Sequence, residues 1–553
     1  MNRSTYFRLF AIIPCLLFVW IISLSSESQA QDSDKKSLIS GSENDRSSKD
    51  MPTPLDKDYL KEGELLSKQF CGSCHQYPAP SLIPRKTWLQ SVLPAMSVRL
   101  GRHYLPQGQT KNYRDHQSLD YIPASYFGTG IARERILDLG DFPNKPMLAH
   151  NEWMKIVAYY GENAPSELDV DPHEITITTP SPFRQHAIPV NDQFSDKWIS
   201  LCHAKDHNTL YAGSESDSSL KYIDPKTFSI SHSTPYPSTP VFVLPNKDSL
   251  HVLTIGSMVS TDELKAGVYR ENLKTRTTKA LFENLPRSVH LQQVELGASN
   301  PLAFLISGFG NTVGEITLMV ENSNAWVQLP VSNRQGSIAS YFDDMNGDRK
   351  LEIVSLVSAG AEGVYQYQHE SGNVVEKQLI SFPPSYGSNS MKLADWDDDG
   401  DLDIFITQGD NGDYDPVLKP YHGIRIYENK GMDRFQEVLF YPMHGASGIE
   451  IQDFDLDGDL DIAAISFFPN WQAEATIDFI YLENVDGKLR NTSPTMPGGL
   501  SRWLVMESGD FDGDGDSDIV LGSHYFKYAV PDSTVEAWRK NPISLMYLEN
   551  TTR

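Results

Sequence analysis

The chain has 553 residues, 39% hydrophobic and 22% charged, with a formal net charge of −26. That length implies two or more domains, and the apolar fraction is ample for packed cores, which excludes a chain disordered throughout. The negative charge excludes nucleic acid and anionic membrane surfaces as partners.

Residues 1–30 read as an export signal. Arg3 and Arg8 precede the 16-residue apolar run LFAIIPCLLFVWIISL (9–24), and Ser28-Gln29-Ala30 offers a cleavage site. The run is shorter than the ~20 residues of a spanning helix, so the membrane is a partner only if the signal stays uncleaved. The expected location is the bacterial periplasm or the cell surface. Residues 31–58 are polar and charged, the composition of a flexible tether. Helical spacing of apolar residues begins at 59 in YLKEGELLSKQF. It returns in KTWLQSVLPAMSVRLG (86–101), a helix broken or begun near Pro94, and in HNEWMKIVAYYGENAP (150–165). In the last of these, Trp153, Ile156, Val157 and Tyr160 form one stripe. The stretch between, 101–145, has no clear period.

The first helical run leads into Cys71-Gly72-Ser73-Cys74-His75. In C-x-x-C-H, two thiols add to the vinyl groups of haem and the histidine supplies an iron ligand. A thioredoxin-like disulfide would need a βαβ context, and a zinc site a second Cys or His pair; the sequence offers neither. Past the signal only Cys202 remains, which reads as a small buried hydrophobe. A single C-x-x-C-H rules out a two-haem peroxidase. Residues 59–165 resemble a class I cytochrome c. Gly63, eight residues before Cys71, matches the small residue at which that family's first helix crosses its last, and LAHNEWMKIVAYY (148–160) resembles the closing helix. The resemblance implies one covalent haem c on Cys71, Cys74 and His75. The family's methionine position falls on Phe142 here. Met96 is therefore the expected opposite ligand, Met147 the alternative, and His103, His150 or an open site the remaining choices.

After about residue 170 the chain changes to short β-type runs, such as EITITT, TLYAGS, LHVLTIGS, LAFLISGFG and LEIVSLVS, between turn residues. Four copies of one pattern stand out: DMNGDRKLEIVSL (344–356), DWDDDGDLDIFIT (395–407), DFDLDGDLDIAAI (453–465) and DFDGDGDSDIVLG (510–522). Their first aspartates are 51, 58 and 57 residues apart, the spacing of four-stranded propeller blades. The frame extends back, without the acids, through 294–310, 244–256 and 204–214, giving seven units. The strands IRIYENKG, IDFIYLENVDG and ISLMYLENTT repeat as well, and the last is expected to complete a terminal blade and close the ring. The fold expectation is thus an all-α haem domain over 59–165 followed by an all-β, seven-bladed propeller over 171–553.

Each acidic loop places oxygen ligands at positions 1, 3, 5 and 9. They are Asp344, Asn346, Asp348 and Glu352; Asp395, Asp397, Asp399 and Asp403; Asp453, Asp455, Asp457 and Asp461; and Asp510, Asp512, Asp514 and Asp518. Alternate residues of a tight loop point inward, and a cation of Ca²⁺ size takes six or more such oxygens. Gly400, Gly458 and Gly515 stand at position 6, where Arg349 makes the first loop the weakest. An EF-hand is excluded, since position 12 is Ser355, Ile406, Ala464 or Leu521 rather than Glu. The repeats resemble the FG-GAP or VCBS type found in integrin α-chains, which implies up to four structural Ca²⁺ ions and no catalytic role for them.

Three functions compete at this level. The leading one is exported electron transfer by a monohaem cytochrome, with the propeller as a docking scaffold for a redox partner protein. The second makes the propeller itself a quinone-type dehydrogenase feeding the haem, although no catalytic constellation stands out. The third is a carbohydrate-binding or adhesive propeller, with aromatics in YDPVLKPYHG and FFPNWQ stacking on sugars.

Overall fold

The computed structural model describes residues 56–101, 143, 145–170, 180–190, 197–296, 301–323, 325–347, 350–370, 373–412, 416–473, 476–494 and 498–553. The export signal, all but the last three residues of the tether, the strand expected at 174–179, His103 and Asp348 lie outside them.

Seven four-stranded antiparallel sheets are arranged as blades. Their innermost strands, here strand a of blades 1 to 7, are Trp198–Ala204, Pro240–Asn246, Ser288–Glu295, Ser337–Asp343, Ser388–Ala394, Ala446–Gln452 and Trp503–Gly509. Strands b, c and d follow outward in chain order in the first six. Blade 7 departs from the expectation. Its outermost strand is Phe183–Pro189, from the start of the propeller, paired antiparallel with Ile543–Asn550 in the register Phe183↔Asn550. ISLMYLEN is therefore strand c, and it is the N-terminal strand that closes the ring. A blade made from both ends of the chain removes the open edges that separate ends would leave.

The blades meet face to face through apolar residues; the largest core cluster draws on the strands of six blades and on Phe467 and Phe468 of blade 6, whose strands pack in two further clusters. Inner and second strands are buried almost throughout, whereas outer strands such as Asn373–Ser381 are exposed along most of their length. Strand propensity and burial thus agree blade by blade. One helix, Asp532–Lys540, falls inside the connection between strands b and c of blade 7, burying Val535 and Trp538.

The helical region before the propeller begins at Lys57, two residues earlier than expected, because Asp56 caps it by accepting from the N–H of Asp58 at 3.1 Å. The helix Lys57–Cys71 crosses His150–Asn163 at Gly63, where a Cβ would lie 2.2 Å from the Lys155 carbonyl oxygen. The expected break at Pro94 is absent. Arg85–Thr87, a π-helical turn Trp88–Val92 and Leu93–Arg99 run on without interruption. The widened turn, in which Leu93 N–H donates back to Trp88, accommodates a proline that brings no N–H and would crowd the carbonyl four residues earlier.

Candidate functional site

Two sites were legible in the sequence, and the fold sets them at opposite ends of the ring. In every blade the a–b connection falls at one end and the b–c and d–a connections at the other; the c–d connections of blades 1 to 6 lie beside the a–b loops. All four acidic loops are a–b connections. The described residues of the helical region bond to the other end. Arg99 donates to Gln335 at 3.3 Å, in the connection between blades 3 and 4. Ser381, ending strand d of blade 4, lies 3.4 Å from Gln76, and Tyr421, in the b–c loop of blade 5, donates to the Leu82 carbonyl at 2.9 Å. Tyr421 is held by stacking on Tyr386 at 4.6 Å and 13°, with the Arg425 guanidinium 5.0 Å from the Tyr386 ring.

Cys71 is the last residue of its helix and Cys74 lies three residues on in the following turn; both are free thiols. Burial pushes the Cys71 thiol up to about 11, so it is not a reactive thiolate. The His75 ring faces the Gln76 carbonyl through Nδ1 at 2.9 Å. With Nδ1–H donating there, the lone pair sits on Nε2, the arrangement of a histidine prepared for a metal. Burial lowers the His75 pKa, which keeps the ring neutral. The segment beyond is pinned. Tyr77 pairs with Ser67 at 3.1 Å, Tyr160 donates to the Pro78 carbonyl at 2.7 Å, and the Trp88 indole N–H to the Pro80 carbonyl at 2.9 Å. These residues fit a group bound through two thioethers and one imidazole. Of the opposite-ligand candidates, Met96 is half-buried in the third helical segment, Met147 is 49% exposed and His150 is exposed. The backbone N–H of Met147 donates to the Leu100 carbonyl at 3.0 Å, which brings the two stretches together.

At the other end, the structure gathers Asp395, Asp397 and Asp399; Asp453, Asp455 and Asp461; and Asp510, Asp512 and Asp514 into three sets, each with ligand atoms within 4.8 Å of one another. Gly400, Gly458 and Gly515 have φ of +93°, +105° and +103°, the left-handed geometry that position 6 requires. The ninth residues have a second task that the sequence did not disclose. Asp403 accepts the N–H groups of Trp396 and Asn429, Asp461 those of Phe454 and Asn484, and Asp518 those of Phe511 and Asn550. Each thus ties the loop to the end of strand c. Glu352 accepts from Met345 in the same way at 3.2 Å. Burial is the main cause that raises Asp403 and Asp461 to about 6 and Asp518 to about 7.

The sets differ in their neighbours. Lys430 lies 3.8 Å from Asp397, and Lys205 3.5 Å from Asp510, while Lys226 donates to the Asp512 carbonyl. Among the described residues no lysine or arginine pairs with the third set, and one buried oxygen of Asp453 has no hydrogen-bond partner. A carboxylate oxygen in that state is costly without a cation. The third loop is therefore better fitted than the second and the fourth to hold one.

Two of the aromatics proposed for sugar stacking are engaged elsewhere. Phe467 and Phe468 are buried around the Arg502 guanidinium, 4.1 Å and 4.6 Å from its centre, and Tyr414 lies outside the described residues. Cys202 is buried, and burial holds its thiol well above the usual range.

Fold and loops together define a seven-bladed β-propeller carrying FG-GAP-type repeats. Residues 344–406 match the family model of the FG-GAP-like repeat. No curated protein matches the sequence. Among solved structures, the chain is similar to the WD40 domain of SCAP from fission yeast, at 11% identity, a TM-score of 0.34, and coverage of 68% of this chain and 90% of that one. It is similar to Nup159 in a complex from S. cerevisiae at 11% identity, a TM-score of 0.41, and coverage of 68% and 96%. It also resembles Kuenenia stuttgartiensis hydrazine synthase at 13% identity, a TM-score of 0.36, and coverage of 53% and 78%. At these values the likenesses carry nothing about activity.

Proposed function

We propose that this chain is an exported monohaem c-type cytochrome, in which a helical haem module rides on a calcium-braced propeller and exchanges electrons with a redox partner protein. The observation that carries the reading is the turn after the first helix, with two free thiols and a neutral imidazole whose Nδ1 is already engaged. Haem bound there would supply one-electron chemistry. The chain's own residues do the rest. Cys71, Cys74 and His75 would hold the group, Gly63 lets the two helices close on each other, and Tyr160 and Trp88 fix the strap 77–80. Met96 is the opposite ligand in this reading, with Met147 as the alternative. The propeller covers the side that bears Gln76, Leu82 and Arg99, so the redox partner approaches the module from elsewhere. Up to four Ca²⁺ ions brace the far end of the ring.

The test is the full chain matured with a haem-attachment system. A difference spectrum with a c-type α band, from haem that resists acid extraction, is the expected result, and Cys71→Ser with Cys74→Ser should abolish it. Haem that extracts freely, or none at all, would overturn the reading. Met96→Leu should then remove low-spin methionine ligation while Met147→Leu leaves it; the reverse result moves the ligand to Met147.

A further inference from the structure

The acidic loops of neighbouring blades are hydrogen-bonded to one another at two of their three joints. Between blades 4 and 5, the Asn429 side-chain amide donates to the Met345 carbonyl at 2.8 Å, and Leu402 N–H donates to the same oxygen at 3.1 Å. Met345 is the second residue of the first loop, and Leu402 the eighth of the second. Between blades 6 and 7, the Asn550 amide donates to the Phe454 carbonyl at 2.7 Å and to the Ser517 carbonyl at 3.0 Å. Phe454 is the second residue of the third loop, and Ser517 the eighth of the fourth. Both asparagines also anchor their own ninth carboxylate through the backbone, Asp403 and Asp518, at 2.7 Å. The joint between blades 5 and 6 differs. Asn484 occupies the matching place but reaches only its own blade, Asp461 at 2.7 Å and the Leu460 carbonyl at 3.2 Å. Among the described residues it makes no bond to the second loop.

We propose that Asn429 and Asn550 are positioning residues that couple the cation loops in two pairs, blade 4 with blade 5 and blade 6 with blade 7, while the pairs stay independent of each other. This rests on the calcium reading above. The carbonyl gripped by each asparagine belongs to the peptide that leads into the loop's third residue, Asn346 or Asp455. Fixing that peptide plane fixes the direction of a ligand side chain. The same asparagine is held by the ninth carboxylate of its own loop, so a cation that orders one loop also orders the anchor of its neighbour. Binding at one loop therefore lowers the ordering cost at the other, which is positive coupling without a large movement.

Calcium titration calorimetry on the full chain tests this, with the first and second loops silenced by Asp344→Asn, Asp397→Asn and Asp399→Asn. Silencing the fourth loop as well, by Asp512→Asn and Asp514→Asn, should weaken calcium at the third loop about fivefold or more, the low end of ordinary coupling. With Asn550→Ala the same silencing should change it less than twofold. Asn550→Leu, of nearly the same volume, replaces the alanine variant if that does not fold. The matched control starts from the chain with its first and fourth loops silenced, where silencing the second should leave the third unchanged. Third-loop affinity that ignores the fourth loop, or that still responds to it without Asn550, or that responds equally to the second, overturns the coupling while calcium binding stands. Absence of binding heat at every loop removes the calcium reading and the coupling together.

Discussion

Replacing Gly63 with alanine sets two known quantities against each other. An alanine in a helix is favoured over glycine by about 1 kcal/mol, so an unpacked Gly63 would give a more stable protein. Here the added Cβ would lie 2.2 Å from the Lys155 carbonyl oxygen, 2.8 Å from its carbon and 3.0 Å from the Tyr159 Cβ. Non-bonded carbon contacts are optimal near ~3.5–4.0 Å, so the crossing would have to open by roughly 1 Å. Two of the three obstacles are backbone atoms of a helix and cannot turn aside. Opening would also pull Lys155 from Glu62, which it meets at 2.6 Å. Overpacking of this kind costs about 1–3 kcal/mol, and more when backbone must move. The net expectation for Gly63→Ala is a loss of about 1–2 kcal/mol in the helical module, with Gly63→Val worse. Thermal unfolding of the full chain, followed by the circular dichroism of its helices, reads this directly. A rise in the midpoint for Gly63→Ala would refute the close crossing.

Three further outcomes follow from the geometry. Chelation with EDTA should lower the unfolding midpoint of the propeller, because a site present only in the folded state adds its binding energy to folding; an unchanged midpoint would count against bound calcium. Glu507 is buried with its carboxyl near Glu450, and burial first, then that neighbour, raises it to about 8. The folded state therefore binds this proton more tightly than the unfolded state, and stability is lost as pH rises from the usual carboxylate range through about 8. Glu507→Gln keeps an acceptor for the His203 N–H, so it should stabilise by on the order of 1–2 kcal/mol at pH 8 and by almost nothing at pH 4, measured by denaturant titration. Tyr421→Phe removes the donor to the Leu82 carbonyl and keeps the stack on Tyr386, at a cost of about 0.5–1.5 kcal/mol in docking. Faster amide exchange over 78–88, with the core strands of blade 5 unchanged, is the expected signature.

The repeats were legible because their signal is local. Acids at alternate positions, a glycine at the sixth and a β run after the ninth all lie within about a dozen residues, and the frame outlives the loss of the acids in blades 1 to 3. Pairing of Phe183 with Asn550 was not legible, since nothing near either residue records a partner at the far end of the chain. The unbroken helix through Pro94 escaped for a related reason. A single π-helical turn has no composition of its own, and only the geometry of Trp88–Val92 reveals it. The asparagine latch could have been found. YENKG, LENVDG and LENTT place Asn429, Asn484 and Asn550 alike, and a residue repeated with the loops but outside them invites a structural role. What the repetition cannot say is that two of the three reach across a joint and one does not.

Placement of the helical module is not a trivial result of its tether. The chain leaves the module near Pro165 and enters the ring at Phe183, in blade 7, yet its bonds are to the end loops of blades 3, 4 and 5. In a seven-membered ring those blades lie across from blade 7 rather than beside it. Docking must then come from the contacts themselves, and these are built into the ring: Tyr421 is pressed between the Leu82 carbonyl and the Tyr386 face, which Arg425 backs. Among the described residues the acidic loops make no bond to the module, for they occupy the opposite end. Their contribution is indirect. By tying each acidic connection to its own blade, and two of the joints across, they hold blade 4 against blade 5 and blade 6 against blade 7.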